Sequence, residues 1–96
     1  MQAEEVLLEV HVNDDGLIWE DTSDIEGRYA NCFKIGFNAF EFVLDFGQTT
    51  GGDERVRSTV RVISNPRSAK VLYHTLKQVI KEYEVSFGAI PTERGE

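Results

Sequence analysis

The chain is poor in the residues that support disulfides, metal sites and membrane spans. Its 96 residues include one cysteine, Cys32, and two histidines, His11 and His74. A single cysteine excludes an internal disulfide. The three residues fall in separate predicted elements without the spacing of metal ligands, so we expect no metal and no other cofactor. No apolar run approaches the roughly 20 residues that a membrane span requires.

Targeting signals are also missing from the first residues. Residues 1–5 lack the basic flank and the apolar stretch of a signal peptide. Together with the low cysteine content, this predicts a cytoplasmic protein without a membrane partner.

Basic residues are absent from the first 27 positions, which carry nine acids. The remaining residues carry eight acids and ten bases, so the chain has an acidic N-terminal quarter and a mildly basic remainder. The net charge of −7 disfavours non-specific attraction to nucleic acid or anionic lipid.

Size and composition predict one folded domain with a thin core. A hydrophobic content of 41% beside 28% charged residues is ordinary for a globular protein. A chain of this length buries only about 60–65% of its unfolded surface. The predicted single domain, 1–96, divides into an acidic N-terminal strand and loop (1–27), a three-stranded antiparallel meander (28–64), a C-terminal helix (65–88) and a flexible tail (89–96).

Alternating apolar residues predict about four antiparallel strands. One covers Val6 to Val12 and ends at the turn-forming residues 13–16, and residues 17–19 are a candidate short return strand. The other three lie within residues 29–37, 40–46 and 55–62. Their shared apolar face is predicted to contain Tyr29, Asn31, Phe33, Ile35, Phe37, Phe40, Phe42, Leu44, Phe46, Val56, Val60 and Val62.

Two hairpins are predicted from this pattern. A two-residue turn at Asn38-Ala39 would pair Phe37 with Phe40, although Asn-Gly is the preferred sequence for such a turn. A hairpin around residues 47–53 would pair Asp45 with Arg57 and Glu41 with Arg61, which brings opposite charges together on the other face.

A long helix follows the meander. Asn65 is placed to cap its first amides, and Pro66 suits the first helical position. Apolar residues then recur at steps of three and four until Gly88 and Pro91 end the helix. The sequence therefore predicts an α+β fold, in which one long C-terminal helix packs on one face of an antiparallel sheet.

Self-association is predicted from the widths of these elements. One helix is about 10 Å across, whereas four strands span roughly 19 Å, so half of the apolar sheet face would stay uncovered. A second copy is the simplest cover, with a dimer as the first expectation, and the alternative is an N-terminal segment folded back across the sheet. The candidate interface residues are Leu72, Tyr73, Leu76, Ile80, Tyr83 and Phe87.

No catalytic group is indicated. The chain has no nucleophile motif, and its glycine-rich residues 47–52 lead into a strand rather than into the Lys-Ser/Thr and helix of a phosphate loop. Glu41 and Asp45 are better explained as partners of arginines than as an acid–base pair. Asn31, an amide among aromatic residues, is expected to pair with backbone at the end of the sheet or else to meet a ligand or partner.

One basic surface is the candidate for binding an anion or nucleic acid. It comprises Arg55, Arg57, Arg61 and Arg67. Because Asp45 and Glu41 are expected to neutralise two of these arginines, the sequence disfavours nucleic-acid binding.

Three segments resemble a known family. Residues 26–31, the run Glu41-Phe-Val-Leu-Asp-Phe-Gly-Gln48 and the helix end 83–90 are similar to the small prokaryotic proteins grouped as domain of unknown function 3467. Relatives usually carry a histidine at the helix entry where this chain has Ser68. The resemblance implies the same strand and helix order and no established activity, and that order is also similar to SecB-like export chaperones.

The leading hypothesis is therefore a non-enzymatic, homo-oligomeric binding or scaffold protein that could also contact another protein. The alternatives are a nucleic-acid-binding protein that uses the basic strand, and a SecB-like chaperone that binds extended clients.

Overall fold

Three strands and one helix follow one another in the computed structural model, which describes residues 16–20, 24–52 and 54–92. The elements are β1 (Cys32–Phe37), β2 (Phe42–Gln48), β3 (Arg57–Ser64) and α1 (Pro66–Phe87). Contacts group the chain into two units. One is Trp19–Lys70, which contains the sheet, and the other contains the helix from Val71 onward.

The strands form an antiparallel meander in the order β1-β2-β3. This confirms the α+β class and the strands-then-helix order. Among the described residues the sheet has three strands rather than about four. Residues 17–19 form no strand. The strand predicted over residues 6–12 lies outside the described residues.

The turn between β1 and β2 differs from the prediction. Phe37 pairs with Phe42, not Phe40, so the loop has four residues and the register moves by two positions. The Asn38 side chain explains the longer loop, because its Oδ1 accepts hydrogen bonds from the backbone N–H of Phe40 at 2.8 Å and of Glu41 at 2.9 Å. A two-residue turn would instead demand positive φ at Ala39, which alanine disfavours.

The register between β2 and β3 was also predicted incorrectly. Asp45 pairs with Arg61 rather than with Arg57, which is opposite Gln48. A bulge between Phe46 and Gly47 interrupts the ladder, and the Thr59 hydroxyl donates to the Phe46 carbonyl at 3.1 Å beside it. An extra residue in one strand reverses, beyond the bulge, which side of the sheet each side chain takes. Arg57, opposite Gln48, therefore lies in a cross-strand row that continues the apolar face.

The predicted apolar face nevertheless survives, because both register errors are even numbers of residues. The pairing aligns three cross-strand rows on this face. We call them the apolar sheet face: Phe33–Phe46–Val60, Ile35–Leu44–Val62 and Phe37–Phe42–Ser64.

The end of the sheet is held by Asn31, as one of its two sequence interpretations predicted. Its side-chain amide donates to the Thr49 carbonyl at 3.1 Å and accepts from the Thr49 N–H at 3.0 Å. The Asn31 N–H also donates to the Gly47 carbonyl at 2.9 Å. The residue is exposed rather than buried, and its side chain extends the β1–β2 ladder by one pair of hydrogen bonds.

Gly47 is buried because the chain before β3 passes directly over it. A Cβ at this position would lie 2.6 Å from Val56 Cγ1 and 2.9 Å from the Arg57 carbonyl oxygen. Val56 therefore lies over the face that carries Asp45, which corrects its predicted place beside Val60 and Val62.

The helix has the predicted bounds and caps. Asn65 Oδ1 accepts from the Ser68 N–H at 2.7 Å, and Pro66 begins the first turn. At the other end Gly88 has φ +100, and its N–H donates to the Glu84 carbonyl at 2.9 Å. Glu84 Oε2 then accepts from the Ile90 N–H at 2.8 Å, which ties the chain to the helix beyond its last turn.

Packing of α1 on the sheet, the single-domain organisation and the flexible tail stay predictions. In the part of the chain that the structure describes, no helix is long and apolar enough to cross a membrane.

Gly47→Ala is expected to lower the free energy of unfolding by about 1–3 kcal/mol, because the added methyl overlaps Val56 Cγ1 and the Arg57 carbonyl oxygen, and the latter belongs to backbone that cannot move aside cheaply. Urea unfolding followed by circular dichroism measures this change. Gly36→Ala in β1 is the matched control, since its Cβ would meet nothing within 4 Å. Equal destabilisation by the two substitutions would contradict the close approach at Gly47.

Candidate functional site

The helix carries a continuous candidate surface. Ala69, Tyr73, Leu76, Ile80, Tyr83 and Phe87 follow one another at alternating steps of four and three, and Leu72 and Val79 widen this row on one side. We call these eight residues the helix stripe. The spacing places all of them on one side of a 3.6-residue helix.

The helix stripe is open to solvent. Tyr73 is 57% exposed, Leu76 52% and Tyr83 49%, and no helix residue is buried. The rings of Tyr83 and Phe87 contact each other with centroids 4.9 Å apart, and Tyr73 contacts His74 at the same distance. All six predicted interface residues therefore lie on one accessible surface.

The apolar sheet face is a second exposed surface. Phe33 is 65% exposed and Phe37 78%. Their cross-strand neighbours pack against them, with ring centroids 5.6 Å apart for Phe33–Phe46 and 6.0 Å for Phe37–Phe42. Across the described residues, no apolar side chain is buried.

Asp45 is the centre of the opposite face. Its Oδ1 accepts from Arg61 Nε at 2.7 Å, its Oδ2 accepts from Arg61 Nη2 at 3.0 Å, and Lys34 Nζ lies 3.7 Å from Oδ2. Bidentate arginine–carboxylate pairs of this kind are strong and geometrically specific. The residues form one cross-strand row, since Lys34 pairs with Asp45 and Asp45 with Arg61 in the ladder.

The Asp45 row shifts the pKa values of two of its members. Hydrogen bonds from Arg61 lower the pKa of the Asp45 carboxyl, and desolvation opposes that shift in part. The same bonds raise the pKa of the Arg61 guanidinium. Both groups stay charged at neutral pH, so the row is a structural ion pair between strands.

The predicted arginine surface is divided by the bulge. Arg61 is bound to Asp45, whereas Arg57 is opposite Gln48, in register with the apolar sheet face. Arg55 precedes β3, and Arg67 is in the first turn of α1. Arg57 and Arg61 therefore do not share a face, and nucleic-acid binding stays an untested alternative that the sequence disfavoured.

Other candidate groups are dispersed. Cys32 is half-buried and pairs with Gly47, on the side of the sheet that carries Asp45. Within residues 16–20, 24–52 and 54–92, no three His, Cys, Asp or Glu side chains are grouped as metal ligands. A cleft of about 200 Å³ beside Cys32 is lined by Lys34, Asp45 and Ser58 among others, and its charged members already belong to the Asp45 row.

Two features of the sheet escaped sequence reasoning. The bulge and the close approach at Gly47 depend on the chain passing over β2, and the glycine after Phe46 is the only local signal for them. The third member of the Asp45 row, Lys34, follows from a register that the sequence pattern does not determine.

Asp45→Asn is expected to lower stability at pH 6–7 and to flatten its decline in acid. The folded-state pKa of Asp45 is lowered, so its contribution is present above the unfolded value of about 3.9 and is lost as pH falls through the folded value. Thermal unfolding from pH 2 to pH 7 measures the difference between variant and wild type. That difference should shrink towards the acid end.

Glu26→Gln serves as the control, because Glu26 forms an exposed ion pair with Arg28 two residues away at 2.9 Å. Exposed pairs contribute little. A constant difference between Asp45→Asn and wild type across the pH range would contradict the proposed role of the Asp45 charge.

Comparisons with known proteins bear on the family and not on the activity. Neither curated proteins nor solved structures give a match. A family model described as "Protein of unknown function (DUF3467)" matches residues 4–92, which is nearly the whole chain and includes all three segments that resembled this family. The protein therefore belongs to the DUF3467 family of proteins of unknown function.

Proposed function

We propose that this protein is a non-enzymatic homo-oligomer, a dimer in its simplest form, that serves as a binding or scaffold protein. The observation that supports this is the exposure of the helix stripe on a chain whose described part buries no apolar side chain. A folded protein needs an apolar interior, because burial of apolar surface is the main favourable contribution to folding.

The size of the surface favours a protein partner. The six most exposed residues of the helix stripe present apolar area on the order of 500 Å², at the upper end of the largest patch on a typical monomer. Half-exposed tyrosine, leucine and isoleucine side chains with few charges among them are also the composition of an interface core. A second copy supplies the same surface at the same concentration, and closed symmetric pairs are the commonest soluble oligomers.

The role as a scaffold follows from what the two faces of the sheet offer. The apolar sheet face, on which Phe33 and Phe37 are exposed, offers a surface for another protein. The Asp45 row on the opposite face is satisfied internally by Arg61 and Lys34 and has no need of a ligand.

Light scattering over a concentration series is expected to give twice the mass of one chain. Tyr73→Asp and Tyr83→Asp should each weaken the association at least about 100-fold, because each places a charge in an apolar interface. Circular dichroism of the same samples reports whether the fold is retained.

Val85→Asp is the matched control, because Val85 is apolar, is 82% exposed and lies on the same helix outside the helix stripe. It should leave the mass unchanged. A wild-type monomer at micromolar concentration, or equal weakening by Val85→Asp and Tyr83→Asp, would refute the proposed interface.

A second candidate function, binding of extended client segments, is favoured by the exposure of Phe33 and Phe37 on β1. In the described sheet β1 is an edge strand, and such an edge can pair with an extended peptide while neighbouring pockets hold alternate side chains.

In this second case the protein should suppress aggregation of an unfolded test protein at stoichiometric amounts, measured by turbidity. Phe33→Asp and Phe37→Asp should abolish the effect, since they remove apolar surface from the apolar sheet face. Val85→Asp should retain it. Wild-type protein without suppression would exclude the chaperone-like role and leave the dimer untouched.

A further inference from the structure

The charges on α1 are arranged against its own dipole. A helix is stabilised by acids near its N-terminus and bases near its C-terminus. Here the first turn has no acid and the last turn no base. Arg67 and Lys70 lie in the first two turns instead, and in the last two turns Glu82 and Glu84 outnumber Lys81. A partner helix running in the opposite direction would bring acids to the basic end and bases to the acidic end.

The helix stripe contains a regular heptad seam. Ala69, Tyr73, Leu76, Ile80, Tyr83 and Phe87 alternate steps of four and three over the whole helix, which is the spacing of the a and d positions in a coiled coil. Lys70, Lys77 and Glu84 each follow a d residue and so flank this seam at equivalent positions.

We propose that two copies of this chain pair through α1 in antiparallel orientation, with the two-fold axis beside Gln78. This inference rests on the proposed homo-dimer and adds its orientation and register. On each side of the axis, three pairs of seam residues then face each other. These are Leu76 with Ile80, Tyr73 with Tyr83 and Ala69 with Phe87 of the second copy.

Side-chain size supports this register. The smallest seam residue, Ala69, is opposite the large Phe87, and close-packed interfaces alternate large and small side chains across facing positions. In a parallel pair Ala69 would instead face Ala69 of the second copy at one end of the helix, and Phe87 would face Phe87 of the second copy at the other end. The parallel seam would be loose at one end and crowded at the other.

Charge supports the same orientation. In the antiparallel pair Lys70 lies beside Glu84 of the second copy, and this contact occurs twice. Glu84 is half-buried, and its Oε2 accepts from the Ile90 N–H at 2.8 Å, so its position is already set before a partner lysine approaches. In a parallel pair the flanking residues opposite Lys70, Lys77 and Glu84 are Asn65, Leu72 and Val79, so no opposite charges meet.

The antiparallel pair has one unfavourable contact, because Lys77 lies beside Lys77 of the second copy at the two-fold axis. Like charges at that distance oppose association. Lys77→Gln is therefore expected to tighten the dimer by about two- to fivefold. A weaker dimer in this variant would contradict the register.

A mixing experiment tests the orientation. Lys70→Glu and Glu84→Lys should each weaken the homodimer roughly tenfold or more, because each creates two like-charge contacts. An equimolar mixture of the two variants should regain wild-type association, since every contact in the heterodimer then joins opposite charges. Light scattering and sedimentation measure both results, and recovery on mixing also shows that both variants are folded.

Spin labels give a second readout in the full chain with Cys32→Ser. Labels at Arg67→Cys should lie at least about 33 Å apart in the antiparallel dimer, from 22 residues at 1.5 Å each, and no further apart than the width of the pair, about 20 Å, in a parallel one. Labels at Gln78→Cys should lie at the same level along the axis in either orientation, separated by the width of the pair, about 20 Å, and they report that the pair has formed.

The outcomes separate the two proposals. A monomer in every sample overturns both the homo-dimer and its orientation. A dimer with short Arg67 distances, or with no recovery on mixing, overturns the antiparallel pairing and leaves the homo-dimer standing. A dimer with long Arg67 distances and recovery on mixing supports both.

Discussion

The Asp45 row aligns the three strands of the sheet. One carboxylate on the central strand accepts two hydrogen bonds from Arg61 on β3 and attracts Lys34 on β1, so all three strands are tied at the same level. A slip of β3 by two positions would exchange Arg61 for Ile63 or Thr59 and leave the carboxylate without its bidentate partner. Because strand alternation couples the two faces, the row that holds Asp45 also sets the apolar rows on the other side.

Both the apolar sheet face and the helix stripe are exposed, while the most buried side chain described is the charged Asp45. This inversion of the usual order, with apolar groups outside and a carboxylate covered, is understandable if the apolar surfaces belong to interfaces. The helix stripe combines an apolar seam with flanking charges that favour a partner of opposite direction, and for that reason we propose that the contact between copies lies there.

Sequence reasoning worked where the structure is determined locally. Asn65, Pro66 and Gly88 mark the helix ends because the capping bonds and the backbone angles involve residues within one turn of each other. Alternation along β1 and β2 assigned the correct faces, since side chains in a strand change sides at every residue whatever the strand pairs with. Asn31 was recognised because an amide in an aromatic strand needs a hydrogen-bonding partner nearby.

The sequence by itself thus determined the α+β order, the helix bounds and the composition of the helix stripe. Only the tertiary structure decided which residues face one another across the sheet. The hydrophobic pattern has a period of two, so shifts of two or four positions satisfy it equally well. The choice between them depended on the Asp45 row, on the Asn38 turn and on the fit of Gly47 beneath Val56. The division of the arginines has the same origin, because one extra residue at the bulge separates Arg57 from Arg61 and no pattern along a single strand contains that information.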